Sequence, residues 1–165
     1  SQLVTRMGFK PILMTGLAFV AAGLLWFSQV SVGGSYLADV LGPSLLAAIG
    51  LGLSFVPVTI GAVSGVSNDD SGIASGLINA SQQVGGALGL AVLATIANGK
   101  TDDVMAAAGG APEALPGALT EGFQTAFVVG AGFALLGLLL AWRLIDTRDS
   151  RRFVEEGAES VPAAA

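Results

Sequence analysis

The chain contains no cysteine and no histidine. The first absence excludes disulfides and thiolate metal sites; the second removes the commonest metal ligand and general base. Charge is scarce too: 12% of residues are Asp, Glu, Lys or Arg, against 53% hydrophobic. An ordinary soluble domain carries about 25% charged residues. With a mean hydropathy of +0.75, the solvent for most of this chain is lipid. The net charge of -5 says little about partners, because the acidic residues sit in connections and tail, where they keep those segments in water. The few basic residues flank apolar runs and leave no nucleic-acid footprint. No glycine loop ending in Lys and Ser or Thr is present to hold a nucleotide's phosphates. Within the apolar runs there is no carboxylate pair, His cluster or nucleophile with a base, so no catalytic residue, metal site or cofactor is expected and the chain reads as no enzyme.

What is present is a set of long uncharged runs. Crossing the hydrocarbon core takes about 20 apolar residues, and four stretches qualify: 11–30, 37–63, 71–97 and 122–145. The expected fold is therefore all-α, a polytopic membrane protein of about four transmembrane helices. Segment 1–10 reads as a cytoplasmic loop and 98–121 as an extracytoplasmic loop, irregular because of Pro112, Pro116 and its glycines, with a short surface helix left open. The tail 146–165 is polar, has no apolar periodicity and is expected to be disordered. The chain begins at Ser1 without an initiator Met and is read as a fragment. Orientation follows from Lys and Arg, which stay cytoplasmic in short flanks. Arg6 and Lys10 precede the first span, and Arg143, Arg148, Arg151 and Arg152 end or follow the fourth. Both termini are expected inside, in a multi-pass protein of the cell membrane. Trp26 and Tyr36 then fall near the outer interface and Trp142 near the inner one.

The third span is the most informative. At 100° per residue, Ser75, Asn79, Gln82 and Gly86 share a narrow stripe bordered by Gln83, while Ile73, Leu77, Val84, Leu88 and Ala91 take the opposite, lipid-facing side. Amides in hydrocarbon need partners. The stripe therefore serves either interhelical hydrogen bonding or a substrate path, and the two are compatible. Gly72-x-x-x-Gly76 and Gly85-x-x-x-Gly89 repeat at the spacing that lets helices approach closely, either as fixed packing or as a smooth surface for sliding. In the second span Pro57 lacks an amide hydrogen and should kink or loosen the helix. Asp39 stands at the start of that span, suited to capping or interface solvation, with ion handling as the sharper alternative. None of the four spans has an ionisable group in its interior, so any proton-coupling residue belongs elsewhere in a longer chain.

The run ASGLINASQQVGGALGLAVL resembles the penultimate span of the fourteen-span drug:proton antiporter branch of the major facilitator superfamily. The preceding YLADVLGPSLLAAIGLGLSFVPVTIGAVSGV resembles the span before it. The opening LVTRMGFKP looks like a degenerate form of that superfamily's cytoplasmic loop motif: Arg6, Gly8 and Lys10 match, and Thr5 stands where the motif has Asp. The resemblance covers roughly Ser1 to Ile145. It implies that these are the last four spans, part of the C-terminal bundle of a major facilitator fold. It also implies proton-coupled export of drugs and other small toxic compounds by a full-length parent. The implied partners are the bilayer, small-molecule substrate, protons and the remaining spans of the same transporter. Alternating access needs two bundles around a central site, so the fragment alone is expected to be inactive. The competing reading is a non-transporting four-helix subunit or scaffold that packs through its Gly-x-x-x-Gly faces.

Overall fold

An apolar run in lipid leaves the backbone no hydrogen-bond partner but itself, and helix is the economical answer. In the computed structural model the described residues are 8–63, 66–67 and 69–145, the side chains of 61–63 excepted. Within them lie four helices: α1 (Phe9–Phe27), α2 (Gly42–Val63), α3 (Ser71–Ala107) and α4 (Leu115–Leu144). A π-helical turn, Tyr36–Leu41, leads into α2, and a 3-10 turn, Pro112–Ala114, leads into α4. All four spans are long and apolar enough to cross a membrane, and no strand occurs among the described residues.

The connection between α3 and α4 differs from the irregular loop expected over 98–121. Helix α3 runs on to Ala107, and α4 begins at Leu115. Lys100, Asp102 and Asp103 interrupt the apolar run without interrupting the helix. At 1.5 Å per residue its 37 residues reach about 55 Å, well beyond a core of about 30 Å. The helix stops at Gly109 and Gly110, whose φ of +65° and +75° is the left-handed geometry of a helix C-terminus. Pro116 falls in the first turn of α4, where its missing N–H costs nothing. What projects beyond the span is a helical hairpin, tied by a Lys100–Glu121 ion pair of 3.4 Å.

Helix α1 lies between α2 and α4, while α3 rests mainly on α4 and touches α2 only lightly. The α1–α2 seam is built on absent side chains. A Cβ on Gly50 would lie 2.6 Å from the Gly16 carbonyl oxygen, and one on Gly23 would lie 2.9 Å from the Ala47 nitrogen. In lipid, helices gain little from burying apolar surface against each other, and close backbone approach supplies the dispersion energy instead. Helix α1, with the turn that follows it, is joined to α4 at three levels. Lys10 Nζ donates to the Trp142 carbonyl at 3.0 Å, and Phe27 stacks on Phe127 with centroids 4.8 Å apart. Gln124 Nε2 donates to the Val30 carbonyl at 2.6 Å. Lys10 and Trp142 thus share one end of the bundle, and Gln124 and Val30 the other.

Candidate functional site

Helix α3 divides in two. Its C-terminal part grips α4: Ala97 is buried, and a Cβ on Gly122 would lie 2.5 Å from the Ala97 carbonyl. The Thr101 hydroxyl lies 2.8 Å from the carbonyl of Ala97 and 3.3 Å from that of Ala118 on α4. Its N-terminal part, from Ser71 to Val92, is exposed at nearly every position. Ser75, Asn79, Gln82 and Gln83 are all exposed, so the partners expected for the polar stripe are not among the described residues. At 100° per residue, the stripe centred near Asn79 falls on the same side of the helix as Leu93 and Ala97. The face that seats on α4 in the C-terminal part is, several turns earlier, the amide-bearing face.

A groove of about 590 Å³ opens where the last turns of α2 stand beside the first turns of α3. Val58 and Val66 form one wall; Ala74, Leu77, Ile78, Ser81 and Gln82 form the other. The three- and four-residue steps on α3 define a single helical face, turned by roughly a quarter turn from the polar stripe. Gln82 is where groove face and stripe meet. Of the four residues expected on a substrate path, the structure brings Gln82 to this groove and leaves Ser75, Asn79 and Gln83 off its wall. Leu77, expected to face lipid, is part of the lining. Chemically the groove offers a mostly apolar surface with one hydroxyl and one amide, and no charge. Such a surface suits an apolar body with a hydrogen-bonding group.

The other expected residues have clear positions. None of Gly72, Gly76, Gly85, Gly86 and Gly89 has anything within 4 Å of where a Cβ would stand. No described helix uses them for packing. Asp39 Oδ2 accepts from both the backbone N–H and the hydroxyl of Ser31, each at 3.1 Å. It clamps the 31–35 connection, while Ser35 caps the π-helical turn by accepting from Ala38 N–H at 3.2 Å. That is a turn-holding geometry with carboxylate contacts directed at the connection. Pro57 is fully buried, and helix α2 continues through it to Val63. The Leu53 carbonyl four residues earlier loses its helical donor there. Gly8 adopts φ 79° immediately before α1, and Lys10 makes the contact to Trp142; Arg6 and the tail arginines lie outside the described residues. Among the described residues no cluster of His, Cys, Asp and Glu could hold a metal ion.

Sequence reading assigned no helix contact to Gly16, Gly23, Gly50, Gly122 or Gln124. The signals were present as Gly16 and Gly23 seven residues apart in α1, Gly122, Ala126 and Gly130 at four-residue steps in α4, and one amide inside an apolar run. A second cavity, about 290 Å³ and wholly apolar, lies between α1, α3 and α4 beside Leu24, Leu93 and Phe127.

No family model matches the chain, and no solved structure matches it. Several curated proteins do. The puromycin resistance protein pur8 of Streptomyces alboniger is 31% identical along 99% of the chain, which covers 33% of that protein. The cephamycin export protein CmcT of Amycolatopsis lactamdurans is 39% identical over 60% of the chain and 20% of its own length. The uncharacterized MFS-type transporter EfpA of Mycobacterium tuberculosis is 32% identical over 61% of the chain and 19% of its own length. The chain thus spans about a third or less of the curated relatives it matches.

Proposed function

We propose that this chain, homologous to the MFS-type drug and antibiotic efflux transporters, supplies four helices of the C-terminal bundle of a proton-coupled exporter of small toxic compounds. The observation that carries the reading is the alignment to a resistance protein along 99% of the chain, over four helices each apolar enough to cross a membrane. A multi-pass membrane protein with such relatives moves solutes. Transport requires the remaining spans, because alternating access works between two repeats around a shared site. Protons are handled by residues beyond these spans, whose interiors carry no ionisable side chain. The termini face the cytoplasm, in keeping with Lys10 and Arg143 at the same end of the bundle.

In this reading Gln82 contacts substrate, with Ser81 beside it, and Ser75, Asn79 and Gln83 complete the wet face toward spans outside this chain. The test is Gln82→Leu in the full-length transporter, with resistance to a panel of unrelated compounds measured in cells expressing equal amounts. The expected result is a changed spectrum, with some compounds losing protection and others keeping it. Unchanged protection against every compound removes Gln82 from the path, and a uniform loss at normal abundance assigns it to folding or coupling instead.

A further inference from the structure

We infer that the exit of α1 and the turn after it form a two-layered strap that links the adjacent ends of α2 and α4, and that the Asp39 carboxylate is its lock. Helices α2 and α4 lie on opposite sides of α1 and scarcely touch each other. Neighbouring residues at the exit of α1 reach to both. In the first layer Trp26 covers the start of α2, where a Cβ on Gly42 would lie 2.9 Å from its ring, and Phe27 stacks on Phe127 of α4. In the second layer Ser31 donates through its N–H and its hydroxyl to Asp39 Oδ2, just before α2. The adjoining Val30 carbonyl accepts from Gln124 of α4. Every one of these contacts is made within this chain and needs no span outside it.

The second layer acts as links in series. No bond joins Asp39 to Gln124 directly; the peptide between Val30 and Ser31 connects them. The turn on either side of that peptide is bonded to itself, Val30 N–H to the Phe27 carbonyl and Gly34 N–H to the Ser31 carbonyl, each at 3.1 Å. A displacement at one end is therefore passed on to the other. Hydrogen bonds to a carboxylate are stronger than those between neutral groups, which makes Asp39 the firmer of the two anchors. Its seat depends on a missing side chain, because a Cβ on Gly34 would fall on Asp39 Oδ2. Gly34→Ala therefore dislodges the carboxylate while leaving its charge in place. This assigns Asp39 to holding helices together, in place of ion handling.

The test uses the full-length transporter in nanodiscs, with any cysteine outside this chain replaced; the chain itself has none. Spin labels replace the exposed Leu45 and Leu119, on α2 and α4 at the strapped end, or the exposed Phe55 and Leu139 toward the other end. Pulsed dipolar spectroscopy gives each distance distribution. Asp39→Ala, Gly34→Ala and Gln124→Leu should each widen the 45–119 distribution to about 1.5 times the parent's width or more and leave 55–139 unchanged. Asp39→Ala and Gln124→Leu together should widen it no further than the wider single variant, since links in series fail at the first break. If Asp39→Ala does not reach the membrane, Ser31→Ala with Gln124→Leu makes the same comparison. A 45–119 distribution unchanged by Gly34→Ala or Asp39→Ala overturns the inference. So does a paired variant whose widening is the sum of the two single effects, the mark of independent contacts. Equal widening at 55–139 overturns it too, as general loosening. None of these readouts involves export, so failure here leaves the transport reading intact.

Discussion

Gly16 and Gly50 meet backbone to backbone: a Cβ added to Gly50 would stand 2.6 Å from the Gly16 carbonyl oxygen. The atom in the way is main chain, and no rotamer change relieves it. This contact, with Gly23 against Ala47, sets how closely α1 and α2 run.

Gly50→Ala is therefore expected to push α1 from α2 and to cost about 1–3 kcal/mol, the usual penalty of overpacking. Gly86→Ala, on the open part of α3, should be neutral or stabilising by about 0.4–1 kcal/mol. Unfolding in mixed micelles, followed by circular dichroism, measures both. Equal effects of the two substitutions would contradict the assignment of the packing seam to α1–α2.

Gln124 ties α4 to the turn that follows α1 through the Val30 carbonyl. Gln124→Leu keeps the bulk and removes the donor, and should cost roughly 0.6–1.5 kcal/mol, the range for one such bond in a membrane protein. The same unfolding assay reads it. A stabilised variant would show that the amide gains nothing from this contact.

The Lys100–Glu121 pair is about half exposed on both sides, and salt and water screen it. A double-mutant cycle with Lys100→Met and Glu121→Met should return a coupling of less than about 1 kcal/mol, shrinking as salt is added. A larger, salt-independent coupling would mean that the hairpin is buried against something in the measured state.

The helices were legible because length and the lack of charge are local properties of the sequence. Segment 98–121 was misread for the same reason. Lys100, Asp102 and Asp103 end the uncharged run, and a reading tuned to the membrane mistook that point for the end of the helix. The polar stripe of α3 was also legible, since periodicity fixes which residues share a face. Which face meets α2 was not, because that depends on how two helices cross, and so Leu77 joins Gln82 on the groove while Asn79 does not. Among 24 glycines, spacing alone singled out those of α3. The structure uses Gly16, Gly23, Gly50 and Gly122, whose partners lie on other helices and are invisible to any pattern within one.

In the proposed topology of four crossings, the hairpin and the 31–35 connection lie on the outer side. Single cysteines at Val32, Asp69 and Ala108, one per chain, can be probed in intact cells with a membrane-impermeant maleimide. Val32→Cys and Ala108→Cys should react from outside, and Asp69→Cys only after the membrane is permeabilised. Labelling of Asp69→Cys in intact cells, or protection of either of the other two, would contradict it.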